Sequence, residues 1–198
     1  MTIYEGDGAM KSKLKRPGGR TEKNRQAVAA AVLDLIGEGK LDFEIQEVVA
    51  RSGVHRTTIF RRWPDRGALI AEALADHVSS LTVEFTGDWK EDLRRTAYAM
   101  RDFLNDPVEL AMNRMMAITD NQDFHEQMML NWLPILETFR QPIQNAKQRG
   151  ELHPDVDADT IISLLLSPIL NSIIFSRTAL DDKQIDQRLE QLIRGCTA

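Results

Sequence analysis

Cysteine is nearly absent: the single Cys196 among 198 residues allows no internal disulfide, and only Arg194 stands near enough to lower its thiol pKa, so a redox sensor is not expected. The four histidines, His55, His77, His125 and His153, are scattered, and no pair has the H-E-x-x-H spacing that sets two metal ligands and a base on one helix face. His125 with Asp120, Asp123 and Glu126 has a spacing that is common on solvated helices. A Gly-rich phosphate loop and a nucleophile elbow are both missing. No catalytic residue, metal or cofactor is therefore expected; an enzyme reading would need turnover or a bound metal. Long hydrophobic runs are missing too. The longest apolar stretch, Ile161 to Phe175, is interrupted by Ser163, Ser167, Pro168, Asn171 and Ser172 and is short of a membrane span, and nothing at the start resembles a secretory signal. The expectation is a cytoplasmic protein with no membrane partner.

What is present is segregated by charge. Through Ala75 there are 13 Lys and Arg against 10 Asp and Glu, whereas the remainder holds 12 against 20. An acidic chain with a basic end is unsuited to coating nucleic acid generally but suits a protein that meets it at one end. Residues 1–20 are poor in apolar groups and carry Lys11, Lys13, Lys15, Arg16 and Arg20 around Pro17-Gly18-Gly19, as a flexible basic arm would. Two readings of it stay open: an arm that tracks DNA phosphates, or a tail left by an alternative start at Met10.

Residues 44–66, EIQEVVARSGVHRTTIFRRWPDR, carry the strongest signal. Ile45, Val48 and Val49 give one short helix an apolar face, and Ile59, Phe60 and Trp63 give a second its own. Ser52-Gly53 lies between them, and glycine enters the positive-φ turn that crossing helices need. Pro64 ends the second helix, and Asp65 caps a third. The spacing thus predicts a helix-turn-helix. The surface left on its second helix is His55, Arg56, Thr57, Thr58, Arg61 and Arg62. Arginine can pair two donors with guanine O6 and N7, and threonine offers a hydroxyl and a methyl, as base reading in a major groove requires. A solvated charged face is the plain alternative for such a helix standing alone.

The run SGVHRTTIFRRWPDRGALI resembles the helix-turn-helix of the TetR family of bacterial transcription regulators, with its G-V-x-x-x-T-I/L-Y-x-x-F/W pattern followed by a charged residue and an L-I pair. Upstream, RTEKNRQAVAAAVLDLIGEGKLDFEI is similar to the family's first helix. Together these cover about the first 80 residues; beyond them only RGELHPDVD is similar to a turn seen in many members. The resemblance implies DNA contacts from Arg56, Thr57, Thr58, Phe60 and Arg61, flanked by Gln46 and Arg66. Phe60 departs from the usual tyrosine and so lacks a hydroxyl for a phosphate. Glu44 stands where a threonine cap is usual; its charge still suits a helix N-terminus, and Asp42 offers another cap.

The rest reads as an all-α body, with no period-two strand after residue 66. Expected helices run from about 21 to 36, 65 to 85, 88 to 104 and from Pro107; a long one reaches Arg149 and is kinked or divided near Pro134 and Pro142, and others span 157 to 179 and 182 to 194. The expected organisation is an arm (1–20), a DNA-binding domain (21–66) and an effector-binding and dimerisation body (67–198). Leu166, Ile169, Leu170 and Ile173, with the stripe of Ile185, Leu189 and Leu192, are the expected four-helix dimer interface; finishing a monomer core is their alternative role. A homodimer would read a palindromic double-stranded DNA operator with half-sites about 34–36 Å apart. The resemblance also implies a small-molecule effector pocket in the middle helices, where Tyr98, Met112, Met115, Met116, Phe124, Met128, Trp132 and Phe139 lie. Methionine adapts to varied apolar or aromatic ligands, although such side chains at helical spacing also make plain core. The reading is thus a ligand-responsive repressor, or else a regulator that binds DNA without any effector.

Overall fold

A computed structural model describes residues 19–118, 120 and 122–197, the side chains at 123, 124 and 127 excepted. The basic arm up to residue 18 and the side chain of Phe124 lie outside the described residues. Among these residues there are helices and no strand: α1 (Arg20–Gly37), α2 (Ile45–Ser52), α3 (Arg56–Arg62), α4 (Arg66–Ser79), α5 (Trp89–Leu104), α6 (Pro107–Ile118), α7 (Gln122–Gln148), α8 (Ala158–Ile174) and α9 (Asp182–Cys196).

Two hydrophobic cores organise them. In the first, Val28, Val32, Leu35 and Ile36 of α1 meet Val48 of α2, Ile59 of α3 and Leu69, Ala73 and Leu74 of α4, and Val108 and Met112 of α6 and Met128 of α7 close it. The unit that holds the helix-turn-helix thus continues past residue 66, which begins a helix and does not interrupt the packing. Ile59 is wholly buried, and cutting such a side chain back to alanine costs about 2–5 kcal/mol. In the second core Trp89, Leu93, Ala97, Met100 and Leu104 recur every three or four residues along α5 and pack on Phe139 and Ile143 of α7, Ile162, Leu165 and Ile169 of α8 and Ile185 and Leu189 of α9. Within the first core Gly37 lets α1 and the start of α6 approach closely, since a Cβ there would lie 3.3 Å from that of Pro107.

Three expectations are corrected. The helix expected to reach residue 85 stops at Ser79, where the hydroxyls of Ser79 and Ser80 donate to the carbonyls of Asp76 and His77 at 2.8 and 2.6 Å and satisfy groups left open by the helix end. From 81 to 86 the chain is not helical: Leu81, Val83 and Phe85 are half-buried against the second core and Thr82, Glu84 and Thr86 are exposed, a period of two. The buried Asp92 fastens the end of this segment, accepting from the Thr86 N–H (2.6 Å), the Thr86 hydroxyl (2.8 Å) and the Gly87 N–H (3.1 Å). Secondly, α7 runs through Pro134 and Pro142 as one helix, which removes the division expected there but not the kink. Each proline removes one backbone bond, while burial of Phe139, Ile143 and Ala146 carries the helix through. Thirdly, α8 ends at Ile174, short of residue 179. Its Asp157 cap accepts from the Thr160 N–H and hydroxyl, both at 2.8 Å, and the Thr160 hydroxyl holds that carboxyl below its ordinary value.

Candidate nucleic-acid interface

The helix-turn-helix forms as its periodicity predicts except at Phe60, which the spacing places on the inner face beside Ile59 and Trp63 and the structure turns outward. Glu44 begins α2, its N–H donating to the Glu47 carboxylate at 3.1 Å, so the acidic residue takes the cap position itself. Gly53 ends α2 at φ 66°, a left-handed conformation that costs glycine little. His55 precedes α3, with its Nδ1 3.0 Å from the Thr57 hydroxyl and accepting from the Thr57 N–H at 3.4 Å. Ile59 and Trp63 anchor α3 inward, which leaves Arg56, Thr57, Phe60, Arg61 and Arg62 exposed and Thr58 half-buried. The Arg56 guanidinium sits 5.2 Å over the Phe60 ring, so this aromatic residue, expected to pack or touch DNA, holds an arginine one turn away. Gln46 is exposed on α2, and Arg66 at the start of α4 donates to the Phe43 carbonyl at 3.4 Å.

The arginines divide into committed and uncommitted groups. Arg62 pairs with Glu72 of α4 at 2.9 Å and stacks 5.2 Å from the Trp63 ring, whose indole N–H also donates to Glu72 at 2.8 Å. Arg25 of α1 is claimed by Glu22, Asp76 and Glu72. Its bonds with Glu22 and Asp76 raise its pKa further above the ordinary arginine value. Arg20 and Arg61 have no acidic partner among the described residues. Both border a concavity of about 450 Å³ between the start of α1 and α3, together with Thr21, Asn24 and Thr58. The Arg20 guanidinium, two hydroxyls and an amide there offer donors to an anion the size of a phosphate, with the Arg61 guanidinium beside them. By sequence Arg20 belongs to the basic arm, and Asn24 carries no mark of its own. The available signal was a cation at a helix start, where the backbone dipole disfavours positive charge.

The residues expected at an effector pocket divide between the two cores and a surface cleft, the side chain of Phe124 lying outside the described residues. Met112 and Met128 are buried in the first core and Met116 packs against it; Phe139 is buried in the second core with Trp132 alongside. The Tyr98 hydroxyl donates to Asp186 of α9 at 3.0 Å, and burial, then that contact, raises the tyrosine above its ordinary pKa. Met115 lines a cleft of about 360 Å³ between the end of α1 and α6, with Leu41, Leu110, Ala111 and Arg114. Of the residues expected between subunits, Leu166, Ile169, Ile173, Ile185 and Leu189 are buried in the protomer's own core and Leu170 and Leu192 pack beside it. The outward apolar groups of α8 and its end are Leu164 and Phe175, 56% and 78% exposed. Cys196 is buried, and burial raises its thiol pKa.

Comparison with known proteins agrees with this architecture. The family model for the Tetracyclin repressor-like, C-terminal domain matches residues 83–192. The DNA-binding transcriptional repressor TetR of Mycobacteroides abscessus is 32% identical over 152 residues, covering 72% of this chain and 77% of that protein. The HTH-type transcriptional regulator YdeS of Bacillus subtilis is 23% identical over 193 residues, 96% of each chain. In fold, the chain matches a TetR transcriptional regulator from Agrobacterium tumefaciens with a TM-score of 0.71 at 16% identity, over 88% of this chain and 94% of that one. Among the described residues no helix is long and apolar enough to cross a membrane, and no cluster of three metal-ligating side chains occurs. The chain belongs to the TetR family of transcriptional regulators, with α2 and α3 as its DNA-binding helix-turn-helix.

Proposed function

We propose that this regulator is a homodimeric, ligand-responsive repressor that reads a palindromic operator through α3. The observation that carries the reading is the outward row of Arg56, Thr57 and Arg61, continuous with the α1 concavity at Arg20 and Asn24. Arg61 and Thr57 would meet base edges, while Arg20, Gln46, Thr58 and Arg66 would hold phosphates on either side. Repression is the activity named for the relative from M. abscessus. One seven-residue helix contacts few base pairs, so two copies are needed for adequate information. The exposed Leu164 of α8, beside α9, and Phe175 at the end of α8 are the surface offered for that pairing.

For the effector, the cleft between α1 and α6 has mostly apolar walls and one cation, Arg114. A small apolar or aromatic ligand there would sit between the DNA-binding unit and the body and would shift the balance between binding and released conformations. The burial of Met112, Met128 and Phe139 in packed cores favours the second reading, a regulator that binds its operator with no effector. Selection of bound fragments from a genomic DNA library, followed by operator binding across a panel of apolar and aromatic compounds, tests both. A recovered palindrome released by at least one compound supports the repressor; recovery of no preferred sequence overturns it.

A further inference from the structure

Glu72 lies at a junction of three helices. Its Oε1 accepts from Arg62 at the end of α3 (2.9 Å) and from Arg25 of α1 (3.5 Å), and its Oε2 accepts from the Trp63 indole (2.8 Å). Burial works against ionisation here, yet Arg62 and Trp63 together hold the carboxyl below its ordinary value. The groups held are those lining the concavity that faces outward beside α3, since Arg25, Arg62 and Trp63 border it along with Arg20 and Arg61. The carboxylate therefore does two things. It fastens the last turn of the recognition helix to α4, and it withholds Arg62 from any anion entering the concavity. Sequence alone suggests a DNA contact for Arg62, with Arg61 beside it; geometry separates the two.

We infer that Glu72 is a positioning residue for DNA binding: it keeps Arg62 off the phosphate backbone and so limits the sequence-independent affinity and its dependence on salt. This rests on α3 being the DNA-reading helix. The consequence has an unusual sign. A residue that merely props up the fold would weaken DNA binding when altered. Loss of this carboxylate instead frees a guanidinium already lining the concavity, and one added phosphate contact strengthens binding to every sequence alike.

The test compares wild type, Glu72→Gln, Arg62→Ala and the double variant on the selected operator and on a scrambled duplex across a salt series. Glutamine keeps an acceptor for the Trp63 indole, and melting curves report whether each variant is folded. Glu72→Gln is expected to bind the scrambled duplex more tightly than wild type and to steepen the slope of log affinity on log salt by about 0.9. That gain shrinks about three- to fourfold between roughly 50 and 200 mM salt and is equal on the operator and the scrambled duplex. Arg62→Ala alone should change operator affinity less than about threefold, and in the Glu72→Gln background it should abolish the gain. An unchanged slope in folded Glu72→Gln, or a gain that survives Arg62→Ala, would overturn the inference. So would a loss of operator affinity in Arg62→Ala equal to that in Arg61→Ala. If wild type itself shows no operator preference, the repressor reading fails first, and that outcome is seen before any variant is compared.

Discussion

The Glu109 carboxylate of α6, 1% exposed, lies 3.4 Å from His77 Nε2 near the end of α4, and neither facing atom makes a hydrogen bond of good geometry. The His77 ring stacks on Phe103 of α5 with centroids 4.8 Å apart, Asp106 stands 3.9 Å from the same nitrogen, and the Asn113 amide reaches Glu109 at 3.5 Å. Three helices are thus joined through polar groups inside apolar surroundings. A buried pair of this kind matters most when it is broken, because the partner left behind keeps its desolvation cost. His77→Leu alone and Glu109→Leu alone are each expected to lower stability by about 1–3 kcal/mol, with the double Leu variant losing less than the sum. Chemical denaturation of the four proteins checks this; additive losses would show that the two groups are energetically independent.

Acid should loosen the attachment of α3. The Glu72 pKa is lowered in the folded protein, so its contribution to stability is complete above the unfolded value and is lost as pH falls through the folded one. The loss should begin below about pH 4.3, the ordinary glutamate value. Chemical denaturation across the acid range, with tryptophan fluorescence as the signal, follows the change; wild type should lose head stability more steeply with acid than Glu72→Gln. Matching acid profiles would remove Glu72 from the account.

The pairing surface separates two kinds of apolar residue. Leu189, 2% exposed, is already core, so Leu189→Asp should unfold the protomer, since an unpaired buried charge costs several kcal/mol. Leu164→Glu and Phe175→Glu, at exposed positions, should leave melting nearly unchanged and convert a dimer to a monomer in sedimentation. Retention of the dimer in both exposed variants would move the interface elsewhere.

At the cleft between α1 and α6, Ala111→Phe should fill the space beside Met115 and Arg114. The expected result is intact operator binding with release by ligand abolished. Overpacking of a solid region would instead cost about 1–3 kcal/mol of stability and leave release intact. Melting and operator release measured together distinguish the two.

The helix-turn-helix is legible because its determinants are local: Gly53 turns, Asp65 caps, and Ile59 of one short helix and Trp63 just past its end both point into the core. The end of α4 is not, since Leu81 and the apolar residues before it continue a helical spacing by chance while the serine hydroxyls and Thr82-Val83 favour a non-helical chain. Composition marks the methionines of the middle helices but not that Met112, Met116 and Met128 fill or flank the first core, which depends on how α6 and α7 lie across the head. Likewise the apolar sides of α8 and α9 were read as one surface for a partner, when most of it meets α5 and α7 in the same chain. The Arg62–Glu72 pair joins residues on different helices, and nothing in either residue's neighbourhood distinguishes Arg62 from Arg61.

The most direct measurement is the affinity of Arg61→Ala for the selected operator and for a scrambled duplex over a range of salt concentrations. Arg61, exposed and without an acidic partner among the described residues, should read a base, so the variant is expected to lose about 1–3 kcal/mol on the operator with little change on the scrambled duplex. An equal loss on both duplexes would contradict base reading by α3.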